Sequence, residues 1–158
     1  MDRRAFVTFA GLAGLAAASG AEAQQAVTPA PIVGAGSQGK FLHVYAGPDG
    51  KSHIELVDIG HGAALVPLTT MRAVNYQPTE VTWHHVPQKQ FVINTTGWLE
   101  VELGDGTKHR IGPGDLVFLE DATGTGHVTR LQGEGVTCLF IGVPPDFDVM
   151  AWAKGEKA

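Results

Sequence analysis

Residues 83–130 decide the fold of this chain, and they read WHHVPQKQFVINTTGWLEVELGDGTKHRIGPGDLVFLEDATGTGHVTR. Short apolar runs alternate with polar residues and are interrupted by Gly, Pro and Asp, a pattern typical of antiparallel strands joined by tight turns. The stretch opens with the pair His84 and His85 and nearly ends with His127. If these strands roll into a barrel, imidazoles that are distant in sequence meet in its interior. The sequence therefore predicts a β structure with a polar site built from histidines.

The strand pattern extends beyond this stretch in both directions. About ten short strands at regular spacing, with no long helical pattern, predict an all-β sandwich or barrel. The turn Gly47-Pro48-Asp49-Gly50 predicts a hairpin between the first two runs, and residues 146–154 predict a short C-terminal helix. The predicted strands lie at 41–45, 52–57, 63–76 (two strands), 79–85, 90–95, 98–103, 107–111, 115–120, 127–132 and 136–143.

Length and composition restrict the function classes. The chain has 158 residues, which suits one domain, and a formal net charge of −5 without a basic run, which argues against nucleic acid as a partner. Its single cysteine, Cys138, excludes an intrachain disulfide. Cys138 lies within an apolar run, and no neighbour in sequence would favour its thiolate. We therefore interpret it as a small buried hydrophobic residue.

Residues 1–23 are predicted to be an export signal. Arg3 and Arg4 form a basic head, an apolar run follows, and Ala21-Glu22-Ala23 is an A-x-A cleavage signal. The apolar run is shorter than the roughly 20 residues of a membrane-spanning helix, so no membrane insertion is expected after cleavage. The segment Arg3-Arg4-Ala5-Phe6 resembles the twin-arginine signal, with an ordinary Sec signal as the alternative. Either route predicts a periplasmic or secreted protein.

The mature chain is divided into three parts. Residues 24–39 are rich in Ala, Pro, Gly and Gln and predict a flexible linker; residues 40–145 hold the strands, and residues 146–158 hold the C-terminal helix and tail. Gly34 to Gly39 matches G-x-G-x-x-G, but prolines precede it and a strand-like run follows. A dinucleotide site needs that motif between a strand and a helix, so we exclude this reading.

Residues 83–130 resemble the two motifs of the cupin superfamily. With Gly97 as the closing glycine of the first motif, Gln90 takes the position of its Glu and His85 that of its second His. The second motif matches Gly114-Asp115, the apolar run after it, and His127. The resemblance implies a cupin-like jelly-roll β-barrel, small-molecule chemistry and a homodimer formed through edge strands.

The resemblance also implies a metal site. Cupins hold Fe, Mn, Ni or Zn with histidines and a glutamate, which makes His84, His85, Gln90 and His127 the candidate ligands here. Gln90 replaces the carboxylate with a neutral oxygen, so a divalent transition metal would be held less tightly. Adjacent residues of a strand point to opposite faces, so only one histidine of the pair faces the interior. Motif spacing favours His85, whereas a narrower resemblance to a group of small bacterial cupins favours His84, and both stay open.

Two functions follow. The first is an exported small-molecule enzyme of oxygenase, isomerase or lyase type that uses such a metal, with His53 and His127 as catalytic residues and its substrate left open. The alternative is a metal-free, non-catalytic module that binds a small periplasmic ligand. In either case a histidine in the barrel can act as a general base near neutral pH.

Five further polar residues are expected to lie outside the site. Glu120 and Asp121 are interpreted as part of a solvated loop rather than as groups that orient His127. His43, His61 and His109 are interpreted as turn or surface residues.

Overall fold

The computed structural model describes residues 39–60, 65–77 and 82–156. The predicted signal peptide, nearly all of the predicted linker and His61 lie outside these residues. The described part of the chain forms seven strands and one short helix, so the all-β prediction with a short C-terminal helix is confirmed. Their bounds are β1 Lys40–Ala46, β2 Ser52–Asp58, β3 Thr70–Tyr76, β4 Gln90–Leu103, β5 Lys108–Ile111, β6 Leu116–Leu119, β7 His127–Gly142 and α1 Val149–Ala153.

The strands form a single sheet. Their order is β2-β1-β6-β4-β7-β3, with β5 paired to the outer half of β4. β1 and β6 are parallel and the other neighbours are antiparallel. Among the described residues the sheet does not close on itself, because β2 and β3 are its two edges.

β4 and β7 are long strands that bend the sheet. They span 14 and 16 residues, each merging two strands that the sequence predicts to be separate. Their pairing shifts register between Asn94 and Thr96 and again between Thr96 and Trp98. Gly97 lies inside the shifted segment with φ +70°, and a Cβ there would lie 2.8 Å from a methyl group of Val136. Such irregularities bend a strand and increase its twist. Side chains from both halves of β4, such as Val92 and Leu99, line one interior space.

The prediction for residues 63–85 was only partly right. Two strands were predicted at 63–76, but within the described residues β3 is the one strand of that segment. In place of the strand predicted at 79–85, the described residues contain an isolated bridge at His84.

The two faces of the sheet bury separate apolar clusters. Alternation along β4 places Phe91 on one face and Val92 on the other. Phe91 packs with Phe118 and with Trp152 of α1, so the helix covers that face. The side chain of Asp148 caps α1 by accepting hydrogen bonds from the first-turn backbone N–H groups. The Val92 face lines the interior space. No helix within the described ranges is long and apolar enough to cross a membrane.

Candidate functional site

A cavity of about 180 Å³ lies on the Val92 side of the sheet. Residues of β3, β4, β5, β6 and β7 line it, together with the segment that precedes β4. Most lining residues are apolar. The polar ones are Arg72, Tyr76, His84, Gln90, His127 and Thr129. The cavity is smaller than the 300–1,000 Å³ typical of pockets for drug-sized ligands, so it suits a small molecule.

His84 and His127 lie side by side on the wall of this cavity. They form an antiparallel bridge in which each backbone N–H donates to the other's carbonyl at 3.0 Å. Their ring centroids are 4.6 Å apart. His84 and His85 are both exposed to solvent, and Nε2 of His85 donates to the Gly124 carbonyl. Of the adjacent pair, His84 lines the cavity and His85 does not.

Gly126 permits this close approach. Its φ is +69°, and a Cβ at this position would lie 2.2 Å from the carbonyl oxygen of His84. A contact under 3.0 Å to backbone cannot be relieved by a side-chain rotation. Any other residue would therefore push the His84 segment away from His127.

Both imidazoles use Nδ1 to hold their orientation. Nδ1–H of His127 donates to Oδ2 of Asp121 at 2.7 Å, and Nδ1–H of His84 donates to the Thr82 carbonyl at 3.1 Å. In a neutral imidazole these partners place the proton on Nδ1, which leaves the lone pair on Nε2. Among the described residues, none hydrogen-bonds to either Nε2. Two basic nitrogens are thus available on neighbouring rings.

Asp121 is fully buried, so its interpretation as a residue of a solvated loop was wrong. Its Oδ2 accepts a second hydrogen bond from Oγ of Ser52 at 2.8 Å, which links the first hairpin to the His127 site. Its Oδ1 is buried and has no hydrogen-bond partner within the described part of the chain. A buried carboxylate with an unpaired oxygen destabilises a fold, and such costs concentrate at functional sites. Asp121 therefore acts as the positioning residue of His127.

Gln90 contributes an amide to the same cavity as the two histidines. It begins β4, is 3% exposed and lines the same cavity. The donor set is therefore two imidazoles and one amide oxygen. In the ranges that the structure describes, no group of three His, Cys, Asp or Glu side chains is placed to hold a metal.

His53 lies outside the cavity. Its Nε2 lies 2.9 Å from Oδ1 of Asp49, and its ring stacks on Tyr45 at 5.6 Å between centroids. The structure does not bring it to His127, because it occupies the turn end of the first hairpin. We therefore remove His53 and His85 from the candidate site and keep His84, Gln90 and His127.

Arg72 and Tyr76 also line the cavity, and the sequence analysis did not identify them. The guanidinium of Arg72 lies over the Phe140 ring, 4.7 Å from its centroid. Burial raises the pKa of the Tyr76 hydroxyl, which is therefore neutral at physiological pH. Arg72 and Tyr76 are four residues apart on β3, so both side chains lie on one face of the strand. This alternation along the strand was the sequence signal that could have identified them.

His43 was interpreted as a turn or surface residue, and this was wrong because it is 4% exposed. Its Nδ1 lies 2.9 Å from Oε1 of Glu55, and its Nε2 lies 2.7 Å from Oε1 of Glu120. Burial alone would lower the pKa of His43, but the two carboxylates outweigh burial and raise it. Glu120 also pairs with Lys89, so it belongs to this cluster and not to the His127 site.

Comparisons with known proteins do not assign this chain to a family. No family model matches the chain, and a search of curated proteins found no match. A protein of unknown function from Rhizobium leguminosarum bv. viciae 3841 is similar in structure at 22% identity, with a TM-score of 0.40 over 47% of this chain and 68% of that one. A putative ethanolamine utilization protein Q from Salmonella typhimurium LT2 is similar at 15% identity, with a TM-score of 0.37 over 68% of this chain and 97% of that one. Likenesses at these scores carry no argument about function.

Proposed function

We propose that this chain is a small cupin-type enzyme that acts on a small molecule in the cavity with a divalent transition metal held by His84, His127 and Gln90. One observation carries the proposal: both histidines use Nδ1–H internally and keep Nε2 available on neighbouring rings at the cavity wall. Histidines that bind metals characteristically donate the other ring N–H to a carboxylate or a backbone carbonyl. Both partner types occur here.

The donor chemistry fits a transition metal held less tightly than by a set that includes a carboxylate. Imidazole nitrogen suits Zn, Fe, Ni and Cu, and catalytic zinc sites use three protein ligands with one open position. The neutral Gln90 oxygen completes a set of three, but it contributes no charge to offset that of the cation. A metal there would supply a Lewis acid for a substrate oxygen.

The protein's own groups prepare the site for chemistry. Asp121 fixes the tautomer and the ring plane of His127, and Thr82 does the same for His84. Without a metal, Nε2 of His127 would be a base within reach of a bound substrate. Most of the lining is apolar, and a bound molecule that displaces water from it would strengthen electrostatic interactions inside the cavity. Cys138 also lines the cavity, but burial raises the pKa of its thiol to about 11, so it is not a nucleophile at neutral pH.

A metal-free ligand-binding module is the second candidate. The mostly apolar lining favours it, because such a cavity binds a small apolar body without any chemistry. Stabilisation by a ligand without turnover across a substrate panel would support this candidate.

Elemental analysis of the full-length chain distinguishes the metal-dependent enzyme from the metal-free binding module. The protein is purified after expression in a bacterium with both export routes. We expect about one transition metal per chain in the wild type and in His85→Ala, which removes an imidazole outside the cavity. The metal should be lost in His84→Ala and in His127→Ala. A wild-type protein without stoichiometric metal, or a metal retained in both cavity variants, would reject the metal site.

We also propose that the protein is exported and that it forms a homodimer. The twin-arginine resemblance of residues 1–23 supports delivery of a folded, metal-loaded protein to the periplasm. The free edges of β2 and β3 are compatible with a homodimer through edge strands.

A further inference from the structure

The cavity carries a positive charge at β3 that the proposed chemistry does not use. Arg72, Val74 and Tyr76 lie on one face of β3, opposite Phe140, Cys138 and Val136 of β7. Arg72 and Tyr76 line the cavity. Arg72 is itself exposed, so its guanidinium reaches solvent as well as the cavity.

No carboxylate of the described residues neutralises this charge. Other basic side chains do have acidic partners, such as Arg130 with Glu102 and Lys89 with Glu120. Arg72 instead rests on the face of Phe140, which orients the guanidinium without cancelling its charge. None of the described residues that line the cavity is Asp or Glu. The field next to Arg72 therefore favours an anion.

Tyr76 adds a hydrogen-bond donor beside this charge. It lies two residues beyond Val74 on the same face of β3, and the centroid of its ring lies 6.3 Å from the centroid of the Phe140 ring. Burial raises the pKa of its hydroxyl, so the group keeps its proton. Within the described part of the chain no hydrogen bond to this hydroxyl is found. A guanidinium and a neutral phenol both donate hydrogen bonds to carboxylate oxygens.

We infer that the cavity binds a small monocarboxylate, with the carboxylate at Arg72 and Tyr76 and a compact apolar body against the apolar side chains of β4 and β6. The walls next to this body are apolar, so a polyhydroxylated molecule would lose hydrogen bonds to water without replacement. A ligand with an ammonium group in place of the carboxylate would be repelled by Arg72. The volume of about 180 Å³ restricts the body to a few carbon atoms.

The inference about the carboxylate rests on the proposed function only for the chemistry at His84 and His127. Binding of the carboxylate depends on Arg72, whereas metal content depends on His84 and His127. The two claims therefore fail separately. Loss of the carboxylate preference leaves the metal site untouched, and a metal-free protein still binds a carboxylate.

The test compares two ligands of the same shape and different charge. Butyrate and butyramide are titrated into the full-length protein with a chelator present, so that no metal at the histidines binds the carboxylate, and binding is followed by NMR of the methyl groups that line the cavity. We expect butyrate to bind about tenfold more tightly, as one charge-assisted hydrogen bond contributes, and the preference to weaken as salt is added. The Arg72→Gln variant should bind both ligands equally, and Tyr76→Phe should weaken butyrate selectively.

Arg110 supplies the matched control. Its guanidinium also lies over an aromatic ring, 4.8 Å from the centroid of Trp98, but it does not line the cavity. Arg110→Gln should keep the wild-type preference for butyrate. Equal binding of the two ligands by the wild type, a preference that survives Arg72→Gln, or an absence of butyrate binding to the cavity methyl groups would each overturn the inference.

Discussion

Replacing Asp121 with Asn tests how the His127 site is prepared. The Nδ1–H of His127 donates to a buried, negatively charged oxygen at 2.7 Å. A hydrogen bond to a charged group contributes about 1.5–3 kcal/mol, and one to a neutral group contributes about 0.5–1.5 kcal/mol. The substitution therefore weakens the preference for the Nδ1–H tautomer by about 1–1.5 kcal/mol. This corresponds to about a tenfold loss of metal affinity, because a carboxylate that accepts the other ring N–H raises the basicity of the ligating Nε2 and a neutral amide does so less.

The assay combines a cobalt(II) titration with ¹⁵N NMR of the imidazoles in the full-length chain. In the wild type we expect the proton of His127 on Nδ1, and in Asp121→Asn a measurable fraction on Nε2. Ser52→Ala is the matched control, because it removes the other donor to the same oxygen and leaves the His127 bond in place. Its metal affinity should stay near the wild-type value. This role of Asp121 is refuted if Asp121→Asn binds cobalt as tightly as the wild type, or if Ser52→Ala loses as much affinity for cobalt as Asp121→Asn does.

Three further predictions concern the surrounding fold. The raised pKa of His43 means that its stabilisation is complete below about pH 6.5 and is lost as pH rises through the raised pKa. Urea midpoints should therefore fall over that window, and this fall should be smaller in His43→Gln. Gly126→Ala should abolish metal binding by separating the bridged segments, whereas Gly106→Ala, with φ +83° and no atom near its Cβ, should keep binding and lose only a little stability in denaturant titrations. The thiol of Cys138 should react with a thiol reagent at pH 8 only after unfolding, since it is buried and its pKa is about 11; reaction of the native chain would contradict this.

Local patterns in the sequence predicted the parts of the fold that depend on neighbours along the chain. The turn at 47–50 and the alternation on both sides of it predicted the first hairpin, and β1 and β2 pair in that way. The apolar run around Cys138 predicted a buried strand, and this is confirmed. Gln90 and His127 were identified through the resemblance of their segments, and both line the cavity.

The remaining features depend on contacts between distant segments. Ser52 and His127 meet at Asp121 because β1 pairs with β6, and no spacing in the sequence specifies that parallel pairing. Arg72 was missed because the segment around it was interpreted as two strands, so the face it shares with Tyr76 was not considered. His43 was misjudged because its carboxylate partners lie 12 and 77 residues away.

The choice between His84 and His85 shows the same limit. Strand alternation states that one of them faces inward, but not which one. The bridge to His127 decides it, because it aligns His84 with the cavity wall. Gly126 makes that bridge possible, and the role of this glycine is visible only when the two segments are placed together.

The most direct test of the paired-imidazole site is a crystal structure of the full-length protein grown with cobalt(II), with diffraction measured at the cobalt absorption edge. We predict one strong anomalous peak per chain in the cavity, bonded to Nε2 of both His84 and His127 at about 2.0–2.1 Å, a distance similar to that of a zinc–histidine bond. Absence of a peak in the cavity, or a peak on other residues only, would contradict the account.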